Sequence, residues 1–205
     1  MRQANLDAIL GFPNQSHWDQ FQADVRYLTH IGGNQTEAAV VFEAGDMIDT
    51  ELEAKYGGYI AQTVQAACLG KIPPELKRAF DVSVEVFDAL VDFMKPGVSF
   101  REVVAFYQRL VREAGATPKG MLLHGREIGE DRPQITGESD GDVYNTPTYT
   151  MHLDLPLVEG NVFVLKPGAM PSHAPDSIRC GDMVVITRDG ARRLGKRQFT
   201  FPELL

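Results

Sequence analysis

Among the side chains that could move a proton or stabilise charge, His124, Lys166, Glu51 and Glu127 are the candidate catalytic residues. His124 stands in Leu-Leu-His-Gly, and an imidazole that titrates near neutrality suits general acid/base catalysis. Lys166 ends the apolar run 162–165, and its ammonium group can stabilise developing negative charge. From residue type alone, such a histidine is more often a core or turn residue, and a lysine at the end of a strand is usually solvated. Residue type therefore leaves both a catalytic and a structural interpretation open.

A second group of side chains could orient a small polar substrate. Arg126 and Arg132 flank Glu127 in a charged run, and a guanidinium holds a carboxylate through two parallel N–H bonds. A run of this kind is more often a solvated loop. Tyr59 and Gln62 lie in one strand-like stretch, but a period of two does not place them on the same face without an offset. These four residues are candidate substrate-binding residues.

The composition excludes several classes of partner. The chain of 205 residues has a formal net charge of −8 and no block of lysines and arginines, so we expect no nucleic-acid partner. No apolar run approaches the roughly 20 residues that span a membrane, and the first residues contain no secretory signal. The two cysteines, Cys68 and Cys180, form no CxxC pair, which is typical of a reducing compartment. We expect a cytoplasmic protein that binds a small molecule.

The candidate residues must be positioned by a mixed set of helices and strands. Apolar residues at helical spacing predict a helix over 73–94, closed by Lys-Pro-Gly. Ser99 and Glu102 form a capping box for a second helix that ends at Gly115. A His-Gly turn is predicted at 124–125. Further predictions are an antiparallel hairpin of 46–49 and 56–64, strands at 162–165 and 182–187, and a long loop over 129–160.

The first 44 residues predict a separate small piece. Strands are expected over 5–10 and 38–42, and between them residues 17–31 have helical spacing that gives way to an extended end at 26–29. A piece of this size is too small for a stable core of its own, so it must pack on the rest of the chain or on a partner.

Several motifs occur in an order that resembles the pita-bread hydrolases, the family of creatinase, prolidase, aminopeptidase P and methionine aminopeptidase. The resemblance implies an α+β pita-bread domain over 45–205, a truncated creatinase-type N-terminal piece over 1–44, and a homodimer. Relative to such proteins, roughly a hundred residues are absent after residue 43, judged from typical domain sizes. The motifs are Gly45-Asp46, Gly58-Tyr59, Lys95-Pro96-Gly97-Val98, His124-Gly125, 162–168 and Thr187-Arg188-Asp189-Gly190.

The resemblance also implies where a dinuclear metal centre would lie. Members of the family that bind two divalent ions use two aspartates, a histidine and two glutamates. These positions fall on Glu51, Gln62, His124, Lys166 and Gly181. Glutamine carries no charge, glycine offers no ligand, and an ammonium group has no lone pair. We therefore expect no metal and no other cofactor.

The resulting prediction is a metal-independent, creatinase-like hydrolase or lyase that acts on a carbon–nitrogen bond of a small, carboxylate-bearing substrate. His124 would be the general acid/base, Glu51 or Glu127 would orient the substrate, and Lys166 would stabilise negative charge. One alternative is a catalytically silent pita-bread module that binds a ligand or a partner. A weaker alternative is an Xaa-Pro-type metallopeptidase.

Overall fold

The structure is a computed structural model, and it describes most of the chain after residue 44. Of the first 44 residues it describes only the backbone of two short strands, β1 (Leu10–Gly11) and β2 (Val40–Val41), which pair antiparallel. These strands fall at the end of the predicted strand 5–10 and inside the predicted strand 38–42. The predicted helix over 17–31 lies outside the described residues. The remaining described ranges are 45–126, 132–137, 152–171 and 177–204.

The chain forms two compact units. The first consists of Met1–Leu52, Gln65–Pro73 and Thr200–Leu205, and the second of Glu53–Val64 and Pro74–Phe199. In the first unit the C-terminal segment pairs with the chain around Cys68, because Cys68 N donates to Pro202 O at 3.0 Å. The predicted domain boundary between residues 44 and 45 stays a prediction.

The predicted hairpin is confirmed, with longer strands than expected. It consists of β3 (Met47–Tyr56) and β4 (Tyr59–Cys68). The turn lies at Gly57 and Gly58, whose φ values of +58° and +91° lie in the region that favours glycine. The closed end of the hairpin belongs to the second unit.

Both predicted helices are confirmed. Helix α1 spans Pro74–Phe93 and helix α2 spans Phe100–Glu113. The capping box is present, since Ser99 Oγ accepts from Glu102 N at 3.3 Å and Glu102 Oε2 accepts from Ser99 N at 2.8 Å. Apolar residues on the inner faces of the two helices pack on each other and on the sheets of the second unit.

Two antiparallel sheets complete the second unit. Their strands are β5 (Thr117–Lys119), β6 (Met121–Gly125), β7 (Gln134–Thr136), β8 (Val162–Leu165), β9 (Gly168–Met170), β10 (Ile178–Arg179), β11 (Asp182–Thr187) and β12 (Gly190–Arg193). The larger sheet has the strand order β12-β11-β8-β6-β7, and the smaller has the order β10-β9-β5. Helix α1 packs on β12, β9 and β10, while α2 packs on β5 and β7.

Two predictions about this region are wrong. His124 and Gly125 end a strand instead of forming a turn, because β6 is paired on both sides, with β7 and with β8. Gly125 is required for close packing, since a Cβ at this position would lie 1.8 Å from Arg132 O. The predicted loop 129–160 contains strand β7, whose pairing with β6 overrides its weak strand signal. No helix in the part of the chain that the structure describes has the length and apolar character to cross a membrane.

Candidate functional site

The strand register brings His124, Lys166 and Gly181 to one face of the larger sheet. His124 on β6 lies opposite Val164 on β8, so Lys166, two residues further along, faces the same side. Asp182 pairs with Leu165, and one residue beyond this pair Gly181 lies opposite Lys166. These positions lie far apart in sequence, and antiparallel pairing makes them neighbours.

Gly181 is packed so closely that it cannot hold a side chain. A Cβ at this position would lie 2.8 Å from Val64 Cγ2, 2.9 Å from Lys166 Cβ and 3.0 Å from Leu165 O. The hairpin is attached at the same point, because Val64 N and Thr63 Oγ1 both donate to Gly181 O at 2.9 Å. Val64 of strand β4 is therefore paired with Gly181, the position that lies opposite Lys166.

This attachment directs Gln62 to the sheet. Gln62 and Val64 are both buried members of the alternating pattern of β4. The side-chain oxygen Gln62 Oε1 lies 3.1 Å from His124 Nε2, and His124 Nδ1 lies 2.8 Å from Gly125 O. The exposed fractions of the three polar side chains are only 3% for His124, 4% for Gln62 and 5% for Lys166. Water is thus largely excluded from a polar cluster.

The cluster extends from Gln62 to the carboxylate of Glu53, which is not among the predicted site residues. Gln62 Nε2 donates to Glu53 Oε1 at 2.6 Å, and Arg126 Nη2 donates to the same oxygen. The side chains of Glu53 and Arg126 are each 12% exposed, so this ion pair is largely buried. One signal for Glu53 was present in the sequence, since it lies two residues from Glu51 and therefore on the same face of strand β3.

The other predicted site residues are distributed as follows. Arg126 is not a solvated loop residue, because it is held by Glu53. Arg132 is exposed, and its backbone lies against Gly125. Tyr59 is 74% exposed and belongs to the opposite face of β4 from Gln62, so the structure does not bring these two together.

Two predicted acidic residues lie outside the described part of the second unit. Glu51 is half-buried on the part of β3 that belongs to the first unit. Glu127 lies outside the described residues. The described part of the second unit therefore supplies a buried His-Gln-Glu-Arg chain with a lysine on the same sheet face.

This arrangement of sheets, helices and hairpin defines a protein with the pita-bread fold. The model of metallopeptidase family M24 matches residues 11–188, and the chain belongs to this family. An Xaa-Pro dipeptidase of Pyrococcus furiosus is 23% identical over 157 residues, which cover 76% of this chain and 41% of that protein. The chain thus spans less than half the length of this curated relative.

Two solved structures show the same fold. The prolidase from Pyrococcus furiosus superimposes with a TM-score of 0.63 at 20% identity, covering 94% of this chain and 50% of that chain. The X-Pro aminopeptidase from Thermotoga maritima gives a TM-score of 0.67 at 21% identity, covering 96% of this chain and 48% of that chain. The predicted family and α+β pita-bread fold are confirmed.

Proposed function

We propose that this chain is a metal-independent hydrolase or lyase that acts on a carbon–nitrogen bond of a small, carboxylate-bearing substrate. The proposal is supported by one observation above all. A buried ammonium group, that of Lys166, shares a sheet face with the buried imidazole of His124. A buried cation and a proton carrier on one sheet face suit the stabilisation of an anion as the bond breaks.

The same residues do not fit the dinuclear centre of the family. Two adjacent divalent cations repel, and anionic bridging ligands are needed to hold them. Gln62 is neutral, Lys166 has no lone pair, and Gly181 has neither a donor nor room for one. Among the residues that the structure describes, no three or more His, Cys, Asp or Glu side chains are grouped as metal ligands would be. The donor chemistry therefore favours a reaction that does not depend on a metal.

The proposed roles follow from these positions. His124 exchanges a proton with the substrate nitrogen, and Lys166 binds the substrate carboxylate or stabilises developing negative charge. Glu51 and Glu127 remain proposed orienting groups, and Arg132 remains a proposed anion contact. Arg126 acts within the buried cluster, where its partner is Glu53.

Turnover by the two central variants tests the proposal. We expect His124→Ala to lower kcat by roughly 10²–10⁴-fold, the usual contribution of general acid/base catalysis. Lys166→Ala should also reduce turnover, whereas the matched controls His152→Ala and Lys196→Ala should not. Candidate substrates are small amides and N-alkylated amino acids with a free carboxylate. Wild-type activity that is retained in both central variants would remove the proposed roles.

A catalytically silent binding module is the second candidate. It is favoured by the contacts of His124, because both ring nitrogens already face protein oxygens, at 2.8 and 3.1 Å. A ligand screen by thermal melting separates the two candidates. A carboxylate that raises Tm without being turned over supports the silent module.

A metallopeptidase is the third candidate, and the similarity to the Xaa-Pro dipeptidase of Pyrococcus furiosus favours it. Hydrolysis of Xaa-Pro dipeptides that requires added manganese, cobalt or zinc would support it and would overturn the metal-independent proposal.

We also propose that the chain forms a homodimer. Light scattering coupled to gel filtration tests this by measuring the mass of the protein in solution.

A further inference from the structure

We propose that Glu53 is a positioning residue which, through Gln62, holds Nε2 of His124 as a hydrogen-bond donor. The use of that proton rests on the proposed function, whereas the hydrogen-bond arrangement can be tested without any turnover. Glu53 acts through another side chain and does not touch His124 itself.

The first step is the orientation of the Gln62 side-chain amide. A carboxylate oxygen accepts hydrogen bonds and cannot donate them, so Glu53 Oε1 must face the NH₂ group of Gln62. The 2.6 Å contact from Gln62 Nε2 fits this requirement. Arg126 donates to the same oxygen and keeps Glu53 in place. With its nitrogen held by Glu53, Gln62 has only its carbonyl oxygen to present to His124.

The second step is the hydrogen-bond role of the imidazole. Gln62 Oε1, 3.1 Å from His124 Nε2, is an acceptor, so Nε2 must carry the hydrogen. On the other side of the ring, Nδ1 lies 2.8 Å from Gly125 O, which is also an acceptor. The doubly protonated ring satisfies both contacts, whereas either neutral tautomer satisfies only one.

The charged groups near the His124 ring do not by themselves favour its doubly protonated form. Lys166, the residue directly after β8, is a buried cation on the same sheet face and opposes a second positive charge. Arg126 follows β6 and is paired with Glu53, on β3. Within the described part of the second unit, the orientation of Gln62 is the device that turns an acceptor towards Nε2.

The consequence is that His124 starts the reaction as an acid. In a hydrolysis, the electron pair of the broken carbon–nitrogen bond stays on nitrogen, which takes the Nε2 proton in place of Gln62 Oε1. Water gives its hydroxyl group to the carbon, and its remaining proton restores the imidazole. Glu53 therefore sets the direction of the first proton transfer without contacting the substrate.

Nitrogen-15 NMR of histidine-labelled protein tests the arrangement. In the wild type near pH 7, we expect the His124 signals to show protonated Nε2 and protonated Nδ1, with assignment by the signal lost in His124→Gln. In Glu53→Gln the amide of Gln62 is free to rotate, so Nε2 should move towards the unprotonated shift. The double variant Glu53→Gln with Arg126→Met should do the same without leaving a buried unpaired charge. Asp154→Asn, which breaks the exposed pair with Arg101, is the matched control and should leave His124 unchanged.

Turnover gives a second readout. We expect Glu53→Gln to lower kcat by roughly 10²-fold, the lower end of general acid catalysis, with KM nearly unchanged. An unprotonated Nε2 in the wild type would overturn the inference, and so would unchanged His124 signals in folded Glu53 variants. If the NMR signals change as expected but the wild type turns over no substrate, the proposed function fails and the positioning role stands.

Discussion

Two buried ion pairs lie on opposite sides of the same sheet, and they differ in what they are connected to. Glu53–Arg126 lies on the side that carries His124, whereas Asp182–Arg193 lies on the other side, since Asp182 follows Gly181 along the strand. Both pairs are largely shielded from water. The difference between them lies in the remaining hydrogen bonds of each carboxylate.

Within the part of the chain that the structure describes, the hydrogen-bond donors to Asp182 are groups that keep their protons. Its Oδ1 accepts from Met183 N and its Oδ2 from Arg193 Nε, both at 2.8 Å. The Arg193 guanidinium stacks 3.9 Å from the Phe199 ring centroid and 5.6 Å from that of Phe87. This pair joins β11, β12 and α1 and holds the second unit together.

Glu53 is hydrogen-bonded to the side-chain amide of Gln62, and the orientation of this amide decides which of its atoms faces His124. The Gln62 amide links the carboxylate to an imidazole, which can gain or lose a proton near neutral pH. A buried ion pair is thus a structural support when its partners are fixed donors, and it can direct chemistry when its partner is a reorientable amide. This comparison predicts different results for disruption of the two pairs.

The largest expected effect is on stability. Asp182→Asn leaves the buried Arg193 without its counter-ion, and we expect the free energy of unfolding to fall by about 3–5 kcal/mol, as for other broken buried pairs. Urea unfolding followed by circular dichroism measures this change. The His124 NMR signals should stay as in the wild type. A change at His124 with little loss of stability would contradict the division of roles.

Cys180 lies two residues before Asp182, and the reactivity of its thiol tests the packing around the Asp182–Arg193 pair. Burial raises the pKa of Cys180 to about 12 from its ordinary value of 9.0, and Cys180 N donates to Ser83 Oγ at 2.9 Å. Because the folded state favours the neutral thiol, its contribution to stability is present below pH 9 and is lost as the pH rises from 9 towards 12. At pH 8 we expect a thiol reagent to label Cys180 only as the protein opens, and faster in Asp182→Asn. Rapid labelling of the folded wild type, located by mass spectrometry, would be inconsistent with this burial.

The next largest expected effect comes from the close packing around Gly181, beside Lys166. Gly181→Ala forces a methyl group against Val64, Lys166 and the Leu165 carbonyl, at 2.8–3.0 Å. We expect a loss of about 1–3 kcal/mol, as for other overpacked cores. Gly190→Ala is the matched control, because its nearest neighbour would be 3.9 Å away. Equal unfolding free energies for the two variants would show that the hairpin does not press on this strand.

The smallest expected effect is a loss of stability at a position remote from both ion pairs, which serves as a control for the other variants. Ser99→Ala removes the capping hydroxyl of α2 and should cost about 1 kcal/mol. Thermal melting measures the loss, and neither the His124 signals nor turnover should change. Altered turnover in this variant would mean that the readouts follow general stability.

The parts of the fold that the sequence predicted are those set by local pattern. Both helices carried apolar residues at helical spacing, and Ser99 with Glu102 marked a start that depends only on neighbouring residues. Strand β6, which carries His124, escaped prediction because Gly125 resembles a turn residue, whereas its role is close packing against Arg132. A glycine gives the same sequence signal in both situations.

For the candidate site, motif order located Gln62, His124 and Lys166, which the structure places on or against one sheet face. The importance of Glu53 could not be predicted with the same ease. Its contact with Gln62 depends on the hairpin turn, and its contact with Arg126 depends on the pairing of distant strands. Long-range register of this kind is fixed by tertiary packing and is not written in a local pattern.

Metal content tests the central claim most directly. Purified protein is incubated with manganese, cobalt or zinc, desalted, and analysed by inductively coupled plasma mass spectrometry, alongside the Lys166→Glu variant. Because Gln62 is neutral, Lys166 carries an amine and Gly181 has no side chain, these positions offer no anionic ligand, and we expect well under one equivalent of metal per chain in the wild type. Two equivalents per chain bound by the wild type and lost in Gln62→Leu would contradict the account.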